Sequence, residues 1–300
     1  MIKYSKKIVK AFNKRLGIFT YSGTLALEIA LKTINVNQKK VLIPYNACYR
    51  VLTAVLNSGG IPVIVKPANS VYVTPEDIDQ CLKQVSNIVA IVLVYQFGIQ
   101  LDIKAIYNVV KKYNCIKIIE DVAQFWGNSV GMYGDFVVTS LGHSKPLCND
   151  FGGLIASNSD DFLEILDITT KTSRQKNGIC YSYALDANVK INEKSIIKKA
   201  NINIKIQKKK AKTVFTLLHK KFSSIETINI ESVFHRLPIF IDTIENYNKV
   251  IDYLQENKIK YELPFKDEMQ NLPVLKHYKY DYIDLSKQHR LIIFIRTRDY

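Results

Sequence analysis

The 300-residue chain lacks the signatures that would assign it to several common protein classes. Its five cysteines, Cys48, Cys81, Cys115, Cys148 and Cys180, include no Cys-x-x-Cys pair and have no histidine couple beside them, so neither a structural zinc site nor a redox dithiol is expected. An odd, widely spaced set is not a disulfide framework either, and it points to a reducing compartment. No apolar run approaches the length that spans a bilayer. Lys3, Lys6, Lys7, Lys10, Lys14 and Arg15 make the N-terminus basic, but polar residues interrupt them and no continuous apolar segment follows, so no secretory leader is read. The expectation is a cytoplasmic protein that does not bind membranes. Internal repeats and low-complexity segments are also missing.

Acidic residues are the scarce charge: 27 Asp and Glu stand against 42 Lys and Arg, giving a net charge of +15. That balance invites a nucleic-acid reading, yet the lysines are scattered and do not gather beside aromatic platforms, so no nucleic-acid partner is expected. Only Lys208-Lys209-Lys210 with Lys212 forms a run, which reads as the solvated face of a helix.

With 47% hydrophobic residues, the chain can bury a substantial core, and its length suggests one large domain plus a smaller one. From residue 20 to 157, short apolar segments alternate with helical patterns, the mark of βαβ units around a mostly parallel sheet. Strands are expected at Lys40–Pro44, Pro62–Val65, Ile88–Tyr95, Cys115–Glu120, Asp135–Ser140 and Leu154–Ser157. Helices are expected at Gly23–Ile34, Tyr49–Asn57, Pro75–Val85 and Asp102–Tyr113. Thr74-Pro75-Glu76-Asp77 opens the third helix with a capping threonine, a first-turn proline and acids at the positive end. Residues 170–192 read as a long loop. A basic helix near Ile196–His219, a strand around Phe234–Ile241, a helix Glu245–Asn257 and a strand around Lys258–Leu263 make the second, α+β part. The expected division is a large α/β domain over 1–200 and a small α+β domain over 201–300.

The chemistry gathers at strand ends, where open parallel sheets carry their ligands. Asp121 closes the apolar strand Ile118-Ile119-Glu120, and a carboxylate there needs a cationic partner. Lys145 follows Ser140-Leu141-Gly142-His143-Ser144 at another strand exit, with Gly152-Gly153 just beyond. Ser22-Gly23-Thr24 precedes an amphipathic helix, whose free N–H groups and dipole suit an anion, and the Ser140 hydroxyl would serve the same anion. A lysine, an acid and an anion cradle on one α/β sheet are what a pyridoxal phosphate site needs. Each piece also has an ordinary role: Asp121 as a turn residue, Ser22 as a helix cap, Lys145 as a surface lysine and His143 as a satisfied polar group. Their order along one sheet favours the site.

The succession Tyr21-Ser22-Gly23-Thr24, Leu42-Ile43-Pro44-Tyr45-Asn46-Ala47-Cys48, Gly59-Gly60-Ile61-Pro62-Val63, Tyr95-Gln96-Phe97-Gly98, Ile119-Glu120-Asp121-Val122-Ala123-Gln124, Gly134-Asp135, and Ser140 through Lys145 with Gly152-Gly153 resembles the DegT/DnrJ/EryC1/StrS family across residues 17–160. The resemblance implies the fold of the fold-type-I pyridoxal phosphate transferases and the activity of a sugar aminotransferase. It implies that Lys145 forms the Schiff base, that Asp121 faces the pyridine nitrogen, that Gln124 lies near the phenolic oxygen, and that Gly23, Thr24 and Ser140 hold the phosphate. Cys48 or Tyr49 would cover the ring. The substrates implied are glutamate or glutamine as amino donor and a keto-sugar, nucleotide-linked, as acceptor, and the implied assembly is a homodimer. Two segments depart from the family pattern. Cys180-Tyr181-Ser182-Tyr183-Ala184 stands where relatives carry a Gly-Tyr-Asn-Tyr-Arg-like segment, and the chain stops soon after Ile292–Ile295, giving a shorter small domain. Another pyridoxal phosphate reaction, such as a lyase or amino-acid-modifying one, and a non-catalytic relative used for binding or regulation are the alternatives. Lysine at position 145 speaks against the sugar dehydratase branch, where histidine stands.

Overall fold

The computed structural model describes residues 2–127, 130–166, 183–228, 235–263, 268–286 and 291–297. Local sequence signals account for most of its elements. The first helix, α1, is the short Ile8–Ala11, and strand β1 is Leu16–Thr20. Helix α2 (Gly23–Ile34) starts where Ser22 Oγ accepts the Leu25 N–H at 3.2 Å, and it ends at Asn35, which takes the left-handed conformation. Strand β2 (Lys40–Pro44), helix α3 (Tyr49–Asn57) and strand β3 (Ile61–Lys66) follow. Helix α4 (Pro75–Gln84) carries a full capping box: Thr74 Oγ1 accepts the Asp77 N–H at 3.2 Å, and Asp77 Oδ2 accepts the Thr74 N–H at 2.9 Å. Strand β4 (Ile88–Val94), helix α5 (Ile103–Val110), and strands β5 (Lys117–Asp121), β6 (Phe136–Ser140) and β7 (Gly153–Ser157) complete the alternating part.

These strands form one eight-stranded sheet in the order β1-β7-β6-β5-β4-β2-β3-β10, where β10 is Asp281–Asp284. Strands β2 to β6 run parallel, β7 is antiparallel to β6 and β1, and β10 lies parallel to β3. Helix α6 (Glu193–Lys221) then leads to strand β8 (Arg236–Ile241), helix α7 (Ile244–Glu256) and strands β9 (Tyr261–Glu262) and β11 (Leu291–Arg296). A second sheet, β8-β11-β9, is antiparallel throughout. Its core joins Leu237, Ile239, Ile293 and Ile295 to Ala211, Val214 and Leu218 of α6 and to Val250 and Leu254 of α7. Val71, Phe97, Ile99, Phe240, Ile292 and Phe294 form a separate apolar cluster where the two sheets meet.

Several boundaries move from their expected places for visible reasons. The fifth strand begins at Lys117 instead of Cys115, because Cys115 sits at φ 64°, and it runs on to include Asp121. Asp102 caps α5 and is not its first residue: its carboxylate accepts the Ala105 N–H at 3.0 Å. The strand read over Lys258–Leu263 shrinks to Tyr261–Glu262, since Lys258 turns at φ 54°. The residue 200/201 boundary falls inside the continuous helix α6. Lys208, Lys209, Lys210 and Lys212 lie on that helix, with Lys209 and Lys212 exposed and Gln207 and Ala211 turned to the core. Thr172–Gly178, Cys180–Ser182 and Phe234 lie outside the described residues. Among the described residues, no helix is long and apolar enough to cross a membrane.

Candidate active site

Parallel strands deliver their last residues to one edge of the sheet, and the candidate residues collect there. Asp121 ends β5 and is buried, with a single backbone hydrogen bond: its Oδ1 accepts the Ala123 N–H at 3.0 Å. Burial raises the Asp121 carboxyl above the usual carboxylate range, and the Ala123 N–H and the positive charge of Lys145 pull it back down. Asp121 therefore lies within the field of Lys145, although the two come from different strand exits.

The residues expected to hold an anion are packed equally closely. Gly23, in the first turn of α2, lies against Ser140 so closely that a Cβ on it would stand 2.9 Å from Ser140 Cβ. A Cβ on Gly153 would stand 2.4 Å from the Ser22 carbonyl carbon and 2.5 Å from Gly23 N. Ser22 also bridges Gly152 in parallel register, and Gly152 takes φ 100°, which a side chain would strain. Glycine at these places lets Ser22-Gly23, Ser140 and Gly152-Gly153 converge. Thr24 follows in the same turn, half-buried. Ser140 Oγ accepts the Gly142 N–H at 3.3 Å and so shapes the turn toward Lys145.

Lys145 opens onto a cavity of about 480 Å³ between the two sheets, within the usual range for small-molecule sites. Cys48 and Tyr49, both exposed at the start of α3, and Gln124 line it, with Tyr45, Asn46, Gln96 and Phe97. A hydrogen-bonded relay fixes its floor. Gln124 Oε1 accepts the Phe97 N–H at 3.1 Å, Gln124 Nε2 donates to Gln96 Oε1 at 3.0 Å, and Gln96 Nε2 donates to the Asn46 carbonyl at 2.6 Å. Asn46 Nδ2 in turn donates to the Val71 carbonyl at 2.7 Å. The opposite wall is apolar at Ile292, Phe294, Met269 and Leu272 and polar at His235, Arg236 and Glu268. Glu268 is held by Lys66 at 3.0 Å, and Arg236 by Glu262 at 2.6 Å.

Of the ten residues named from sequence, Cys48, Tyr49, Gln124 and Lys145 share this cavity; Asp121 lies beside it through the Lys145 charge, and Ser22, Gly23 and Ser140 adjoin one another with Thr24 in the same turn. His143 departs from the set. Its side chain is 80% exposed, its Nδ1 lies 3.2 Å from Asp150 Oδ1, and it does not line the cavity, because the turn after Ser140 swings it outward. Sequence reading missed His235, Arg236, Glu268, Ile292 and Phe294, which come from the distant C-terminal segments. Gln96 had a usable signal, since it follows an apolar strand just as Asp121 closes one. Glu120, also unassigned, is fully buried and accepts the Tyr95 hydroxyl at 2.7 Å and the N–H groups of Gly131 and Gly134 at 3.0 and 2.8 Å, so its role is to hold the 131–134 turn.

The residues present suit a pyridoxal phosphate. A buried carboxyl with one hydrogen bond matches a protonated ring nitrogen, and a helix N-terminus packed on Ser140 through glycines is a place where backbone N–H groups suit a phosphate.

Comparison with known proteins agrees. The sequence profile described as the DegT/DnrJ/EryC1/StrS aminotransferase family matches residues 2–290. A 3-oxo-glucose-6-phosphate:glutamate aminotransferase of Bacillus subtilis is 28% identical over 163 residues, 53% of this chain and 36% of that protein. A dTDP-3-amino-3,6-dideoxy-alpha-D-galactopyranose transaminase of Aneurinibacillus thermoaerophilus is 27% identical over 173 residues, 55% of this chain and 47% of that protein. These matches span less than half the length of those relatives. Among solved structures, the E. coli GDP-4-keto-6-deoxy-D-mannose-3-dehydratase with bound hydrated PLP superposes with a TM-score of 0.74 at 15% identity, covering 97% of this chain and 85% of that one. The fold is thus that of the fold-type-I pyridoxal phosphate enzymes.

Proposed function

We propose, from the premise that this chain belongs to the DegT/DnrJ/EryC1/StrS aminotransferase family, that it is a pyridoxal-phosphate-dependent aminotransferase. In this reading it moves an amino group from glutamate or glutamine to a keto-sugar, nucleotide-linked, and works as a cytoplasmic homodimer. The observation that carries the assignment is a buried Asp121 within the field of Lys145, on the sheet whose strand β6 ends at Ser140, packed against Gly23.

Bound here, pyridoxal phosphate would act as an electron sink that stabilises negative charge on the substrate carbon being aminated or deaminated. Lys145 would hold the cofactor covalently and, once displaced by the amino donor, move the proton at that carbon. Asp121, kept out of water, would hold a proton on the ring nitrogen facing it. Ser22, Gly23, Thr24 and Ser140 would bind the phosphate, with the positive end of α2 aimed at it. Gln124, locked by Gln96 and the Phe97 N–H, would present its amide at a fixed angle to the ring's phenolic oxygen. Tyr49 or Cys48 would cover the ring's open face.

The test is the visible absorption spectrum of the purified protein with pyridoxal phosphate, before and after glutamate, alongside Lys145→Ala. A lysine-bound cofactor band in the wild type that glutamate bleaches, and that the variant does not form, is the expected result. A band indifferent to glutamate moves the assignment to another donor or another pyridoxal phosphate reaction. No band in the wild type leaves a non-catalytic relative.

A further inference from the structure

The segment between β6 and β7 closes on itself. The Leu141 N–H donates to the Gly152 carbonyl at 2.8 Å, the Asn149 N–H to the Leu141 carbonyl at 2.8 Å, and the Lys145 N–H to the Gly142 carbonyl at 3.0 Å. Pro146 and Leu147 are buried beneath the loop, and Asp150 turns at φ 64°. The closure brings His143 from one limb of the loop to Cys148 and Asp150 on the other. One carboxylate oxygen, Asp150 Oδ1, lies 3.2 Å from His143 Nδ1 and 3.7 Å from Cys148 Sγ. The donor atoms of all three residues fall within 4.8 Å of one another.

We propose that His143, Cys148 and Asp150 bind a transition-metal ion of the zinc class on the outer side of the loop that carries Lys145. Bonds of roughly 2.0–2.3 Å in a tetrahedron set donor atoms about 3.3–3.8 Å apart. The Cys148–Asp150 separation of 3.7 Å lies at that spacing, and the His143–Asp150 separation of 3.2 Å falls just short of it. The donor set of one thiolate, one imidazole and one carboxylate suits Zn2+ and not Mg2+ or Ca2+, which take oxygen ligands. With His143 and Asp150 80% and 82% exposed, the fourth position is open to water and an ion enters without unfolding the loop. Asp150 now faces two groups that can each offer it a proton. An ion among the three would take the place of those hydrogen bonds. The chain pattern hid this site, because it has no histidine pair and no Cys-x-x-Cys; folding the loop supplies what spacing alone does not.

The titration that tests it reads the metal alone, so its outcome is separate from that of the aminotransferase assignment. The full chain, freed of metal with a chelator, is titrated with Co2+ and followed in the near ultraviolet and visible. One equivalent should raise a thiolate-to-cobalt charge-transfer band together with the strong visible bands of a four-coordinate ion, and Zn2+ should abolish both. Cys148→Ser should remove the charge-transfer band, and His143→Ala should weaken binding by about tenfold or more. Cys115→Ser, at an exposed cysteine outside the loop, should change nothing. As a check that does not depend on a variant's folding, Zn2+ should protect Cys148 of the wild type from alkylation while exposed Cys115 reacts at its usual rate. Absence of the charge-transfer band in the wild type, its persistence in Cys148→Ser, or equal alkylation of Cys148 with and without Zn2+ overturns the site.

Discussion

Asp121 shows how one residue can be costly to the fold and necessary to the chemistry. An acid whose folded pKa lies above its unfolded one binds more protons folded than unfolded between the two values. Stability therefore falls as pH rises through that window, and the loss is complete above the folded pKa. Asp121→Asn should thus raise the melting temperature of the cofactor-free protein at neutral pH and flatten its pH dependence on the acid side. The same variant should lose most turnover, because a neutral amide cannot hold a proton on the ring nitrogen. Thermal scans from pH 4 to 8 beside an activity assay check both, and an Asn variant that is less stable yet fully active contradicts the role. Gln96 is the second residue-level case. It is almost fully buried between Gln124 and the Asn46 carbonyl, so Gln96→Leu leaves both without that partner and should cost ~1–3 kcal/mol in denaturant unfolding. If Gln124 reaches the cofactor, the variant should also shift the visible band of the bound cofactor, which a purely structural role would leave in place. Asp121 stood out in the sequence as a charged residue at the end of an apolar strand, and Lys145 by its place in the Gly-containing turn after another. Arg236, Glu268 and His235 did not, because nothing local marks a residue whose importance comes from a wall built by segments far apart in the chain.

Among the elements, those whose ends carry their own chemistry were readable. Lys40–Pro44, Gly23–Ile34 and Tyr49–Asn57 appear where expected, since a proline, a capping serine or a clear apolar periodicity bounds each. Strand β10 was not readable. Asp-Tyr-Ile-Asp is short and half acidic, and it is a strand because the edge of β3 offers it backbone partners and basic residues: Asp281 pairs with Lys40 at 2.7 Å, and Asp284 lies 3.9 Å from Lys66. The contact between α2 and β7 carries the element-level prediction. Gly153→Ala forces a methyl group into the backbone of Ser22 and Gly23, where no flexible side chain can give way. The change should destabilise by ~1–3 kcal/mol, as overpacking does, and weaken pyridoxal phosphate binding by pushing the α2 N-terminus away from Ser140. Urea unfolding and a cofactor titration measure the two effects. A Gly153→Ala protein that binds the cofactor normally would show that the cradle lies elsewhere.

At the scale of the whole molecule, the cavity exists because two sheets meet at Phe97. That residue turns at φ 58°, a conformation an aromatic side chain adopts only when its surroundings impose it, at a cost of roughly 1–2 kcal/mol. Three contacts impose it: the Phe97 N–H donates to Gln124, its carbonyl accepts the His235 N–H at 2.7 Å, and its ring lies 4.3 Å from that of Phe294 on the smaller sheet. Small-sheet packing is thereby tied to the side chain proposed to meet the cofactor. Phe294→Ala should remove about 3–5 kcal/mol of stability through the void it leaves. It should also release the Phe97 turn and let Gln124 rotate, so cofactor affinity should fall although residue 294 itself stands on the other sheet. Phe294→Leu, which refills most of the space without restoring the aromatic contact, should recover most of the stability and less of the affinity. Equal recovery of both in Phe294→Leu would mean that the seam only holds the sheets together and does not set the geometry of the site.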